Sequence, residues 1–164
     1  MAPHTRMLLA SDGSTTILLQ ALVGERLHLR LDAVDARPAD DVSAPVRDSL
    51  GVRPESTVIV RRSALVTGTG AEVARNVVVG SPQAAPRLLT SPEPIGATMN
   101  HSRAGHRRLR LDAGSSTWET ADGPLRCAFK AYLILDGGAP VLHIVERFNP
   151  AFVPPVDARA GALR

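Results

Sequence analysis

The residue in this sequence that most needs a chemical explanation is Glu146, in the run Pro140-Val141-Leu142-His143-Ile144-Val145-Glu146-Arg147-Phe148-Asn149-Pro150. Side chains on a strand alternate between faces. One face of this run carries Leu142, Ile144, Glu146 and Phe148, and the other Val141, His143, Val145 and Arg147. A carboxylate in an apolar row is costly unless it is paired or protonated. Glu146 is therefore read as a buried acid or base in a ligand pocket, with an edge-strand glutamate reaching water as the alternative.

Two further stretches place a cation in an apolar row. Arg75 lies with Val73, Val77 and Val79. Arg61 lies with Ile59, Ser63 and Leu65, and Arg62 with Val58, Val60, Ala64 and Val66. Alternation does not decide which of the two points inward. Buried charges persist mainly when paired. An Arg–Glu pair bracing a sheet and a dry pocket for an anionic ligand, its acid present for proton transfer, both fit this pattern.

Other chemistries have less support. His4, His28, His101, His106 and His143 are scattered without metal-ligand spacing. No Gly-x-Ser-x-Gly elbow is present, and Cys127 has no evident histidine partner. No metal and no cofactor are expected. The arginines between 103 and 110 suggest nucleic acid. With aromatic residues at 3% there is no stacking platform, so they read as a solvated strand.

The 164 residues suffice for one domain with a real core, filled by aliphatic side chains. Formal charge is +3, and every cation but Lys130 is arginine, which suits bidentate binding of carboxylate or phosphate. One cysteine excludes an internal disulfide, and its apolar surroundings suggest a buried structural thiol. Residues 1–10 lack the apolar core of a signal peptide, and no apolar run nears the ~18 residues of a membrane span. A cytoplasmic protein without membrane or nucleic-acid partners is expected, as a monomer or dimer.

The elements that must position these residues follow from periodicity. Ser11 to Thr16 signals a helix start before Ile17–Val23, closed by Gly24. Residues 26–32 alternate charged with Leu27, Leu29 and Leu31, a strand with one wet face. Residues 33–54 read as a loop with a short helix over Ala44–Leu50. Strands over Thr57–Val66 and Glu72–Val79 flank a Thr-Gly-Thr-Gly turn. Short helices are expected over Pro82–Leu89 and from Pro94, and a strand over His106–Ala113. Strands over Arg126–Leu135 and Val141–Phe148 flank Asp136-Gly137-Gly138-Ala139. The expected fold is α+β: a six-stranded antiparallel sheet with helices packed over one face, enclosing a ligand cavity. Residues 1–150 form the single expected domain and 151–164 a surface tail.

In this order the residues resemble the chorismate–pyruvate lyase family and its relatives, the UTRA ligand-binding domains of transcription regulators. Leu8 to Thr16 looks like the family's opening turn. Val58-Ile59-Val60-Arg61-Arg62 through Arg75-Asn76-Val77-Val78 looks like its paired central strands. Pro94-Ile95-Gly96 matches its helix start, and Asp136 to Phe148 its final hairpin and acidic strand. The resemblance implies Glu146 as catalytic glutamate and Arg61, or Arg62 after a one-residue slip, as the grip on the substrate carboxylate. It also implies Arg75 as a second arginine, and Thr15 and Ile95 as backbone N–H donors closing on the ligand.

The implied function is a cofactor-independent lyase that eliminates pyruvate from chorismate to give 4-hydroxybenzoate. Val145 stands where many members have threonine, arginine is sparse around Lys130, and the loop after Asp32 is long and acidic. These departures keep two alternatives open. One is a family member redeployed in a biosynthetic pathway for another elimination or cyclisation. The other is a non-catalytic UTRA-like domain that binds a small molecule.

Overall fold

The computed structural model describes residues 2–83, 89–91, 93, 95 and 105–155. Helix α1 (Pro3–Ala10) and helix α2 (Thr15–Val23) lead into strand β1 (His28–Pro38). A short 3-10 turn and helix α3 (Ala44–Leu50) precede the hairpin of β2 (Thr57–Val66) and β3 (Glu72–Gly80). Strands β4 (Arg107–Thr120), β5 (Gly123–Asp136) and β6 (Ala139–Phe148) complete the sheet. Its order is β1-β2-β3-β6-β5-β4, with every pairing antiparallel. Two three-stranded meanders thus join along β3 and β6. That junction makes the last strand central and leaves β1 and β4 as edges, so Glu146 does not sit on an edge strand.

The expected α+β architecture is present. Its layer of helices is formed by α1 and α2, whose Leu8, Leu9 and Leu19 pack with Leu65 and Phe148. Leu89 and Ile95 extend the same side with Val78, Ile144 and Leu142. Helix α3 covers part of the reverse face, where Leu50 and Val46 meet Val58, Val60, Val79 and Leu133. No helix among the described residues is long and apolar enough to cross a membrane.

Several expectations shift for local reasons. Helix α1 went unrecognised because its apolar residues are few, with Leu8 and Leu9 buried and Met7 68% exposed. Strand β1 runs through the segment read as loop. Its register slips between Leu31 and Ala33, leaving Asp32 as the extra residue. Beyond that bulge Val34 and Ala36, both exposed, take the face that Leu29 and Leu31 hold before it, which breaks the visible alternation. Strand β4 likewise extends past Ala113 to Thr120. The tail boundary is too early: Val153 is fully buried, and Thr5 donates a hydrogen bond to Pro154 O at 3.0 Å. The helix expected over Pro82–Leu89, and the one from Pro94, fall largely outside the described residues. Cys127 is buried, and burial raises its thiol pKa.

The β5–β6 turn is the tight two-residue kind, with Gly137 at φ 57° and Gly138 at φ 89° between the paired Asp136 and Ala139. A bulge follows at once. Without it, residue numbers in the hairpin pair to a constant sum, and Glu146 would face Phe129. The slip between Ile134 and Leu135 moves the register by one, so Glu146 faces Lys130 instead.

Two outcomes test this packing. A Cβ on Gly80 would lie 2.6 Å from Leu142 Cδ2 and 2.8 Å from Val141 O. Gly80→Ala is expected to cost about 1–3 kcal/mol, read as a lower urea midpoint; an unchanged midpoint contradicts the close approach. His143 is buried, and burial lowers its pKa from 6.5. The unfolded chain then binds the proton at higher pH than the folded one. Stability should therefore fall as pH drops through 6.5 toward the lowered folded value. His143→Gln should flatten that slope in thermal melts; a slope retained in full would assign it to other groups.

Candidate ligand-binding site on the Glu146 face

The central strands lay out the site in two rows. Ser63 on β2, Asn76 on β3, Glu146 on β6 and Lys130 on β5 are successive cross-strand neighbours. One step along, Arg61, Val78, Ile144 and Tyr132 form the next row on that face. The first turn of α2 stands over these rows. Ser14, Thr15 and Thr16 line one cavity with Arg61, Glu146 and Ile95. Arg108 of β4 and Tyr132 contribute to the same walls.

Glu146 is 6% exposed and its charge is already answered. Thr15 Oγ1 donates to its Oε2 at 2.7 Å, and Lys130 Nζ lies 3.7 Å from the same oxygen. The ammonium also reaches Leu8 O and Ser11 O, each at 3.4 Å. One lysine thereby joins the central strand to the end of α1 and the approach to α2. Burial lowers the Lys130 pKa, the Glu146 charge raises it in partial compensation, and Arg108 adds a smaller lowering. Burial first, then the Glu146 charge, hold Tyr132 well above the ordinary phenol value. The phenol is thus a neutral hydroxyl at neutral pH.

Arg61 is the largest side chain that is almost wholly buried, 1% exposed. Its Nη2 donates to Glu93 O at 2.9 Å, and burial lowers its pKa from the ordinary value. Guanidinium keeps its proton under any such shift, so the wall carries a fixed positive charge. The N-terminus of α2 adds to it: Ser14 makes no side-chain capping bond, and Ser14, Thr15 and Thr16 line the cavity. Asn76 Oδ1 is buried without a hydrogen-bond partner. The space that the centre of a water-sized sphere can reach is about 40 Å³. One water needs roughly 10–15 Å³ on that measure, so a carboxylate or phosphate group is the scale of occupant that fits. Among the described residues, no group of three or more His, Cys, Asp or Glu is placed to hold a metal ion.

The structure brings together Glu146, Arg61, Thr15 and Ile95. It does not bring Arg62 or Arg75 to them. Arg62 is adjacent to Arg61 and so lies on the reverse face, paired with Asp35 at 3.0 Å. Arg75 alternates with Ala74 and Asn76 and also lies on the reverse face, paired with Glu72 at 2.6 Å. Arg75, Val77 and Val79 do share a row, but it faces away from Glu146; Val73 is the extra residue of a bulge and belongs to the cluster under α1 and α2. Sequence reasoning missed Arg108, Asn76 and Tyr132 in the wall, and Lys130 beside Glu146. Lys130 had a signal, as the one lysine across the final hairpin, but its register depends on the bulge. Arg108 was read as solvated, whereas Leu109 of the apolar row is 48% exposed and Arg108 lines the cavity.

No protein-family model matches this sequence, and no curated protein matches it. Solved structures do. The effector domain of PhnF from Mycobacterium smegmatis superposes with a TM-score of 0.66 at 17% identity, over 86% of this chain and 91% of that one. The C-terminal domain of the histidine utilization repressor from Pseudomonas syringae pv. tomato gives 0.55 at 12%, over 84% and 100%. A GntR-family transcriptional regulator from Enterococcus faecalis gives 0.56 at 8%, over 80% and 99%. The expected chorismate lyase is corrected by these findings: the solved structures that share the fold are domains of transcription regulators. At such identities the likeness speaks for architecture, and the chain has the α+β, UTRA-like fold of GntR-family regulator domains.

Proposed function

We propose that this chain is a ligand-binding module of the effector-domain kind, which holds a small anionic compound on the Glu146 face and leaves it chemically unchanged. The observation that carries this reading is Arg61, 1% exposed, in the wall of a cavity that the N-terminus of α2 also lines. Desolvating a guanidinium is expensive, and an anion arriving between it and a helix N-terminus is well compensated. Arg108 adds a second positive charge to the wall.

Glu146 supports binding rather than turnover. A general acid or base needs an accessible proton route and a carboxyl whose partners leave it available. Here Oε2 is held by Thr15 and faced by Lys130, and both ionic side chains are nearly buried, at 8% and 4% exposure. The pair organises the pocket by setting α2 against the sheet. Asn76 Oδ1 leaves a polar group for the uncharged part of a ligand.

Two experiments test this reading. In amide NMR titrations with small carboxylates and phosphates, the Thr15 and Thr16 resonances should shift saturably, and the compound should be recovered intact. Arg61→Gln should weaken that binding by about tenfold or more, the cost of a charge-assisted hydrogen bond. Unchanged affinity in the variant, or consumption of the compound, contradicts the proposal. The structural role of the pair has its own readout. Lys130→Met leaves Glu146 buried and unpaired, at an expected cost of about 3–5 kcal/mol, whereas Lys130→Met with Glu146→Gln should recover a large part of it. A double variant no more stable than the single one would show that the two do not compensate each other.

A further inference from the structure

The reverse face of the sheet carries a second basic site, which the Glu146 cavity does not use. Helix α3 covers only the part of that face around Val60, Val79 and Leu133. Beyond it a groove is lined by Arg62, Arg75 and Arg147, with Ser116 and Trp118 alongside. Arg75 and Arg147 are direct cross-strand partners on the two central strands. Like charges placed opposite each other weaken a sheet, so their retention asks for a compensating anion.

The compensation within the fold is incomplete. Arg75 is answered by Glu72 at 2.6 Å, donates to Glu119 O at 2.8 Å, and lies over the Trp118 ring at 4.0 Å from its centroid. Arg62 is answered by Asp35 at 3.0 Å. Arg147 donates from Nε to Ser116 Oγ at 3.1 Å, and no carboxylate among the described residues pairs with it. Its guanidinium is thereby fixed at one edge, with its terminal N–H groups left to bind.

The groove's size and rim narrow the occupant. Its volume is about 510 Å³, within the roughly 300–1,000 Å³ of small-molecule sites. Asp32 and Glu119 also line it, and both are exposed. Negative groups at the rim oppose an extended polyanion such as nucleic acid or an anionic membrane. They leave the interior free for one compact anion.

We propose that this groove is a second ligand site, separate from the Glu146 cavity, which takes a small oxyanion-bearing compound on Arg147. Arg62 and the Ser116 hydroxyl flank the anion. The two sites lie on opposite faces of the sheet, so they can be occupied together.

Trp118 is the chain's one tryptophan and is packed beneath Arg75, so its emission reports this groove locally. The test titrates the full chain with inorganic phosphate while following that emission. The expected result is a saturable change, with Arg147→Gln requiring about tenfold or more phosphate for the same response. Should Arg147→Gln fail to fold, Arg62→Gln is read instead, and at least a threefold weakening is expected. No saturable change up to about 10 mM phosphate overturns the proposal. So does an unweakened response in the folded Arg147→Gln chain, or in Arg62→Gln where that variant is read.

Discussion

Everything on the pocket side of this sheet depends on keeping one carboxylate, that of Glu146, inside an apolar layer. Removing an ion pair from water costs several kcal/mol per ion, and attraction repays it only when the remaining donors and acceptors are also met. The chain meets them with three elements at once: Lys130 from β5, Thr15 from α2, and the carbonyls of Leu8 and Ser11 that receive the ammonium. The same contacts fix where α1 ends and α2 begins. The cavity is the space that this arrangement leaves between the helix N-terminus and Arg61. A residue whose chemistry first suggests proton transfer is thus the keystone of the cavity's walls.

How much of this the sequence revealed depends on what the local signal was. The β2–β3 hairpin, α3 and the β5–β6 hairpin were legible, because Gly-rich turns and aliphatic runs bound each of them closely. Alternation marked Glu146 as either a buried acid or an edge-strand glutamate, and the central place of β6 decides for burial. The four bulges among the described residues were not legible. An extra residue at Asp32, at Val73, at Leu111 and at Val141 each changes which face the following side chains meet, and single-strand patterning carries no sign of it. The bulge at Val141 decides that Lys130, rather than Phe129, meets Glu146. Arg75 shows the complementary error: an arginine in an aliphatic row was correctly seen, but a sheet has two covered faces, and the row belonged to the other one. The enzyme reading failed for a related reason. Shared architecture carries binding and catalysis alike, and only the geometry around the acid separates them.

Arg61 and Arg62 illustrate how one pair of adjacent residues can serve both faces. The first is almost wholly buried beside the α2 N-terminus; the second is half exposed and paired at the rim of the reverse groove. The sheet thereby presents a small, dry, charged cavity on one side and a wider basic groove on the other. The effector and repressor domains that share this fold are similar to the chain in architecture. Its own residues place Lys130, the sole lysine, on Glu146, Arg108 of an edge strand in the cavity wall, and Arg147 opposite Arg75.

The most direct measurement of the central claim is a crystal structure of the chain grown with saturating inorganic phosphate. The expected result is an anion bound between the Arg61 guanidinium and the first-turn amides of α2, with Thr15 and Lys130 still on Glu146. Phosphate absent from that cavity, with Glu146 turned away from Lys130 toward solvent, would contradict it.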